Sequence, residues 1–124
     1  MKANELMIGD YISVKPSGMP IKIAAVHHKK VAYHAVINKL AWVRESLLEP
    51  IPLTTDILEK NGFVKKEYRW ILPDLYTEDN LIVLLNVANG FALPTAEGIT
   101  LGFQYIHELQ HFYKLCGIKK EIIF

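Results

Sequence analysis

The chain has 124 residues, of which 51% are hydrophobic and 22% charged, and its formal net charge is +1 at pH 7. These values are typical of one small globular protein and exclude a disordered chain. The net charge is also too small to attract nucleic acid or an anionic membrane to the molecule as a whole. The single cysteine, Cys116, excludes an internal disulfide. Because no apolar run is long enough for a membrane span or a secretory signal, we expect a cytoplasmic protein.

The first 50 residues predict a small β unit. Polar and apolar side chains alternate there in short runs, which is the period of a half-buried strand, and turn-forming residues separate the runs. Four strands follow from this pattern: residues 11–15, 21–25, 31–37 and 40–43. Their short, even spacing predicts a curled sheet, with an SH3-like barrel as one candidate.

Two prolines, Pro50 and Pro52, mark the boundary between this β unit (residues 1–50) and an α+β unit (residues 51–124). We expect the two units to pack as one compact body. A short helix follows the prolines, with Thr54 as its N-cap. The other predicted elements are strands over 67–72, 81–88 and 99–103, a return strand from Phe91, a helix over 104–116 closed by Gly117, and a strand over 118–124.

The predicted fold class is therefore α+β. It has an N-terminal curled sheet, a short linking helix, and an antiparallel sheet with one amphipathic helix packed on it. Asn89 and Gly90 both tolerate positive φ, as a two-residue hairpin turn requires. We therefore predict that residues 81–88 pair antiparallel with the strand that starts at Phe91.

His107, Glu108 and His111 form an H-E-x-x-H pattern in the predicted C-terminal helix. Two histidines four residues apart on a helix can bind one zinc ion, and the glutamate between them can take a proton from zinc-bound water. The pattern alone therefore predicts a zinc-dependent hydrolase, with His107 and His111 as metal ligands and Glu108 as the catalytic base.

Two observations oppose a zinc site. A third ligand would have to come from upstream, for example from His34 or Asp74. The helix also has an apolar side that we expect to be buried. Its members are Tyr105, Leu109, Phe112, Tyr113 and Cys116. This orientation turns His107 and His111 towards solvent beside Lys114, whose charge repels zinc. We therefore predict no catalytic residue, no metal and no cofactor, with zinc at His107 and His111 as the alternative.

Charge is unevenly distributed along the chain. Residues 1–50 carry a net charge of +3 and the remainder carries −2. This places any anion-binding surface near the tip formed by residues 27–30, although such a tip is typically a solvated hairpin turn. We expect no sequence-specific binding of nucleic acid and at most weak association at low salt. We assign Trp42, Tyr68 and Trp70 to the core or an interface rather than to base stacking.

Several segments resemble an uncharacterised family of small proteins from gut anaerobic bacteria and their mobile elements and phages. They are E-L-M-I-G-D-Y (5–11), E-P-I-P-L-T (49–54), I-L-E-K-N-G-F (57–63), Y-I-H-E-L-Q (105–110) and Leu115. The resemblance implies a bacterial, cytoplasmic accessory protein with no known activity, in which the second histidine of the helix is not a fixed feature. The function we expect is that of a non-enzymatic binding or adaptor module. Its partner would be an unidentified protein or a second copy of the chain, without a membrane.

Overall fold

The computed structural model describes residues 1–36, 38–66, 69–72, 82–87, 90–94 and 100–124. Strands and helices both occur, and the strands pair antiparallel, so the predicted α+β class is confirmed. Strands β1 to β6 are Tyr11–Val14, Met19–Lys22, Ala25–His27, Lys30–Val36, Lys39–Arg44 and Leu48–Glu49. Helix α1 is Thr55–Lys60, and strands β7 to β11 are Val64–Lys66, Arg69–Leu72, Ile82–Val87, Gly90–Pro94 and Thr100–Phe103. Helix α2 is Ile106–Leu115. No helix in the described part of the chain is both long and apolar enough to cross a membrane.

The chain divides into two compact units. The first contains Met1–Ile51 together with Ile106–Ile118, and the second contains Pro52–Tyr105 together with Lys119–Phe124. The division after Ile51 falls where the two prolines place it. Helix α2, however, groups with the first unit rather than with the preceding sheet. That the two units pack as one body stays a prediction.

Two three-stranded antiparallel sheets build the first unit, in the orders β2-β1-β6 and β3-β4-β5. The predicted strand over 21–25 is broken into β2 and β3, because the chain passes from one sheet to the other at Ile23 and Ala24. The N–H of Ile23 donates to the carbonyl of Asp10 beside the first sheet, and the N–H of Ala24 donates to the carbonyl of Ala32 in the second. Both sheets are open in the described chain, so an SH3-like barrel is not confirmed.

The core of the first unit is apolar and draws on both sheets. Its buried members are Ala3, Leu6, Ile12, Ile21, Ile23, Val31 and Leu48. Ile12 and Ile21 are opposite each other in the β1–β2 register, so both side chains lie on the same face of that sheet. Burying a side chain of this size removes apolar area worth about 2 kcal/mol, and this favours the packing of one sheet on the other.

Helix α1 begins and ends as its sequence predicts. The Oγ1 of Thr54 accepts a hydrogen bond from the N–H of Ile57 at 3.3 Å, which confirms Thr54 as the N-cap. At the other end, the N–H of Phe63 donates to the carbonyl of Leu58 and the N–H of Gly62 to that of Glu59. These two bonds satisfy carbonyls that the end of a helix otherwise leaves without partners.

The second unit contains a five-stranded antiparallel sheet in the order β11-β10-β9-β8-β7. Val87 pairs with Gly90, which confirms the predicted antiparallel pairing of β9 and β10. The predicted turn at Asn89 and Gly90 is wrong for Gly90, which is the first residue of β10, and Asn89 lies outside the described residues. Gly90 has a φ of +136°, and a Cβ there would collide with the carbonyl oxygen of Phe103. Glycine is therefore required at this position by both the backbone angle and the close approach of β11.

Residues 118–124 form no strand, so that prediction is wrong. The side chain of Asn61 explains part of the difference. It donates a hydrogen bond from Nδ2 to the carbonyl of Ile123 and accepts one at Oδ1 from the N–H of the same residue. Because a side chain satisfies these two backbone groups, the segment can be ordered there without joining a strand ladder.

Candidate functional site

Helix α2 carries the H-E-x-x-H pattern, and its end is fixed locally. The N–H of Ile118 donates to the carbonyl of Tyr113 at 2.8 Å, and the N–H of Gly117 donates to that of Lys114 at 3.2 Å. These bonds form the same type of closure as at the end of α1. The predicted helix over 104–116 is therefore confirmed, with a start two residues later than expected.

One side of α2 is a polar stripe, by which we mean His107, Gln110, His111 and Lys114. Their spacing of three, four and seven residues places them on one face of the helix. This face contacts the turn before β1 and the start of that strand. The Nε2 of Gln110 donates to the carbonyl of Gly9 at 2.9 Å, and its Oε1 accepts from the N–H of Tyr11 at 2.8 Å. One amide therefore satisfies a backbone acceptor and a backbone donor at the edge of the first sheet.

Asp10 is the charged centre of this contact and is fully buried. Its Oδ2 accepts a hydrogen bond from the N–H of Met7 at 2.8 Å and lies 2.6 Å from Nε2 of His111. An ionised carboxylate can only accept, so with Asp10 ionised the donor of this contact is Nε2. The Nζ of Lys114 lies 3.9 Å from Oδ1 and donates to the carbonyl of Ile8 at 2.7 Å. A buried carboxylate needs such partners to remain ionised.

His107 lies deeper than His111, with 8% of its surface exposed. The two imidazole rings are 5.6 Å apart between centroids and nearly perpendicular. Burial lowers the pKa of His107 below its ordinary value, and the carboxylate of Asp10 opposes this shift. The phenol of Tyr113, one of the apolar residues that α2 buries, has its pKa raised by burial. We call the polar stripe together with residues 7–11 the helix-docking cluster.

The prediction that both histidines face solvent is wrong for His107 and only partly right for His111, whose side chain is 25% exposed. Cys116 was expected to be buried and is instead exposed. The error at the histidines arises because polar side chains were assigned to solvent, whereas the predicted burial of the apolar side is confirmed at Leu109 and Tyr113. Here His107 and Gln110 are buried and Lys114 is exposed. The stripe packs against the protein because Gln110 and Lys114 hydrogen-bond the backbone, and His111 a carboxylate, near the other end of the chain.

The described residues contain no group of three His, Cys, Asp or Glu side chains arranged to hold a metal ion. Of the third ligands considered, His34 is exposed on β4, and Asp74 lies outside the described residues. Asp10, which the sequence did not suggest, does reach the histidine pair. It meets His111 as a hydrogen-bond partner and occupies the ring nitrogen that a metal would need. Chemically, this arrangement holds α2 against the first sheet.

A second group of polar and aromatic residues lies on the outer face of the β3-β4-β5 sheet. Residues directly opposite each other in a sheet share a face. The register places His27, Lys30 and Arg44 in one row across the three strands. Trp42 follows in the next row, 46% exposed, with the Nζ of Lys30 5.0 Å from its ring centroid and the His27 ring edge-on at 6.3 Å. We call this surface the Trp42 face.

The Trp42 face borders a groove of about 560 Å³. Its lining residues are His27, His28, Lys29, Lys30, Arg44, Glu45 and Ser46. Volumes of this size are typical of small-ligand sites. The basic tip at residues 27–30 is therefore part of a larger surface that β5 completes. Sequence reasoning missed the contribution of Trp42: of the two expected settings, core or interface, its exposure excludes the core, and the interface stays a prediction. Only the strand register, with Lys30 opposite Arg44, could have shown it.

No family model, curated protein or solved structure matches this chain. The class of protein is therefore defined by its fold and by the two residue groups above. It is an α+β protein with a buried helix-docking cluster and an exposed basic and aromatic sheet face.

Proposed function

We propose that this protein is a non-enzymatic binding module and that the Trp42 face binds an anionic ligand. The observation that carries the proposal is the placement of Lys30 directly opposite Arg44, beside the half-exposed Trp42. Like charges directly opposite each other destabilise a sheet. An anion bound between them would remove that repulsion, and the neighbouring indole offers apolar contact area.

The balance of charge at this surface supports an anionic ligand. Lys29, Lys30 and Arg44 provide three permanent positive charges around the groove. Glu45 provides the one carboxylate of the lining, and its Oε2 accepts a hydrogen bond from the N–H of Ala3 at 2.9 Å. In the part of the chain that the structure describes, neither Lys30 nor Arg44 forms an ion pair. A local positive field therefore exists although the chain as a whole is nearly neutral.

The histidines of the H-E-x-x-H pattern already have contacts within the protein, and this favours a binding function over catalysis. His111 is bonded to Asp10, and His107 is buried beside it in the helix-docking cluster. A zinc hydrolase would need both imidazoles released from these contacts and turned to one metal ion. The zinc-dependent hydrolase with Glu108 as its base therefore stays the second choice.

We propose that this module acts in the bacterial cytoplasm as an accessory protein of mobile-element type. The resemblance of residues 5–11, 49–63 and 105–110 to small proteins of gut anaerobes supports this setting. An unidentified protein partner or a second copy of the chain is the alternative occupant of the Trp42 face. Such an occupant would have to supply negative charge to the row formed by Lys30 and Arg44.

The experiment compares two double variants that lose the same charge. Lys30→Gln with Arg44→Gln changes the Trp42 face, whereas Lys2→Gln with Lys119→Gln removes two exposed lysines elsewhere. Heparin serves as the anionic probe, and elution from a heparin column is measured against salt. We expect the first variant to elute at clearly lower salt than the wild type and the second to elute close to it. Equal shifts in both variants would show diffuse charge attraction and would overturn the proposal.

A further inference from the structure

We infer that the anionic ligand of the Trp42 face is a single-stranded nucleic acid, bound without sequence preference. One base would stack on Trp42, and the adjacent phosphates would pair with Lys29, Lys30 and Arg44. This inference rests on the proposed function and goes beyond it by naming the ligand class. It combines two observations, the exposed indole and the row of cations beside it.

The layout of the sheet determines where a base could meet Trp42. Trp42 shares its cross-strand row with Ala32, which in turn is opposite Ala25 on β3. Ala32 is fully buried and the His27 ring lies edge-on to the indole at 6.3 Å, so a base would stack on the part of Trp42 that remains exposed. The row of cations lies two residues further along the strands, a separation of about 7 Å. A base on the indole therefore places its own phosphate group near the cations.

Lys30 takes part in both steps of the proposed binding, the stacking of a base on Trp42 and the pairing with a phosphate. Its Nζ now lies 5.0 Å from the centroid of the Trp42 ring, as in a cation–π contact. A base that stacks on this face of the ring must displace the ammonium group. The lysine stem is flexible, so the displaced ammonium can turn to a phosphate oxygen without moving the strand. The present contact thus shows one face of the ring in use as a cation–π partner, which a stacked base would replace.

The aromatic side chain favours a single strand over other polyanions. A duplex keeps its bases paired and stacked, so it can offer only phosphates to a sheet face. An acidic peptide can neutralise Lys30 and Arg44 but brings no base to stack on Trp42. Stacking on aromatic side chains is, by contrast, the usual way in which proteins hold unpaired bases of any sequence.

The number of cations limits the strength of binding. Three phosphate contacts predict that the logarithm of the association constant falls with the logarithm of salt concentration with a slope of about −2 for a single strand. We expect a dissociation constant weaker than about 1 μM at physiological salt. This agrees with the weak, non-specific association that the charge distribution along the sequence suggests.

The test is a fluorescence anisotropy titration of labelled oligo(dT) of twelve nucleotides at low salt. The variants are Trp42→Ala and Trp42→Leu, of which the second keeps apolar bulk and loses the aromatic plane. Leu115→Ala is the matched control, since it removes an apolar side chain that is 86% exposed on α2. We expect both Trp42 variants to bind about tenfold more weakly and the control to bind as the wild type does. Circular dichroism verifies that each variant is folded.

Two further probes separate the failure of this inference from the failure of the proposed function. They are a twelve-base-pair duplex and polyglutamate, each titrated into the wild type and into Lys30→Gln with Arg44→Gln. If oligo(dT) binding is insensitive to both Trp42 variants, or if the duplex or polyglutamate binds more tightly, the ligand class is wrong. The binding face itself would still be supported if Lys30 and Arg44 are needed. If no probe depends on these two residues, both proposals fail.

Discussion

The helix-docking cluster and the Trp42 face are built from similar residue types and differ in what those residues contact. Both contain histidines, a lysine and an aromatic neighbour. In the cluster, the side chains of Gln110 and Lys114 bond to the protein backbone, and Asp10 supplies the opposing charge. On the Trp42 face, Lys30 is opposite Arg44, and Trp42 is half exposed. A histidine or lysine therefore indicates a binding site only where its own chain leaves its hydrogen bonds or charge unmatched.

The strongest test of this contrast is Asp10→Ala. The substitution leaves the N–H of Met7 and the Nε2–H of His111 without their acceptor inside a buried contact. We expect the free energy of unfolding to fall by about 3 kcal/mol in urea denaturation. Glu59→Ala, which removes an exposed carboxylate from α1, is the control and should change stability by less than about 0.5 kcal/mol. A loss below about 1 kcal/mol for Asp10→Ala would show that the cluster does not hold α2.

Gln110→Ala should have the next largest effect. It removes two hydrogen bonds and leaves the carbonyl of Gly9 and the N–H of Tyr11 without this side chain. We expect a loss of about 2 kcal/mol, measured by urea denaturation. Trp42→Ala is the comparison variant on the Trp42 face and should lower the free energy of unfolding by less than about 1 kcal/mol. If Gln110→Ala and Trp42→Ala lower the free energy of unfolding equally, the distinction between a structural cluster and a binding face fails.

The pH dependence of stability tests the burial of His107 in the helix-docking cluster. Burial lowers the pKa of His107 in the folded protein, so between that value and about 6.5 the unfolded chain binds more protons than the folded one. Stability should therefore fall as pH drops below about 6.5, by at most about 1.4 kcal/mol per pH unit for one group. The charged groups near His107 are Asp10, His111, Glu108 and Glu5.

Urea denaturation between pH 7.5 and pH 5 measures this effect. His107→Leu should flatten the profile, whereas His34→Gln, on an exposed position of β4, should leave it as in the wild type. A profile that keeps its slope in His107→Leu would assign the acid sensitivity to another residue and contradict this interpretation of the cluster.

The smallest expected effect concerns zinc. Because His111 is bonded to Asp10, zinc must break that contact before both imidazoles can bind it. We expect protein dialysed after exposure to zinc to retain far less than one equivalent, with no change in its melting temperature. Zinc that survives dialysis at one equivalent, together with peptidase activity that is lost in Glu108→Gln, would establish the hydrolase instead. Metal without activity would identify a structural site.

Local patterns predicted much of the fold because local forces decide it. Alternating side chains located β1, β4 and β5, three of the six strands of the first unit. The N-cap at Thr54 and the hairpin between β9 and β10 were also predicted correctly, since a cap needs only the first turn of a helix and a hairpin only neighbouring strands. Predictions failed at residues 21–25 and 118–124, where the partner strand or the side chain of Asn61 decides the conformation.

The sequence by itself determined the α+β class, the position of α2 along the chain and the location of the basic tip. Only the tertiary structure decided that the polar stripe of α2 also packs against the protein and that Trp42 stands beside Lys30 and Arg44. The physical reason is distance along the chain. The bonds from Gln110 and Lys114 to the first sheet join residues 99 to 106 positions apart, and hydrophobic periodicity carries no information about such partners. A polar stripe looks the same in the sequence whether water or the protein backbone satisfies it.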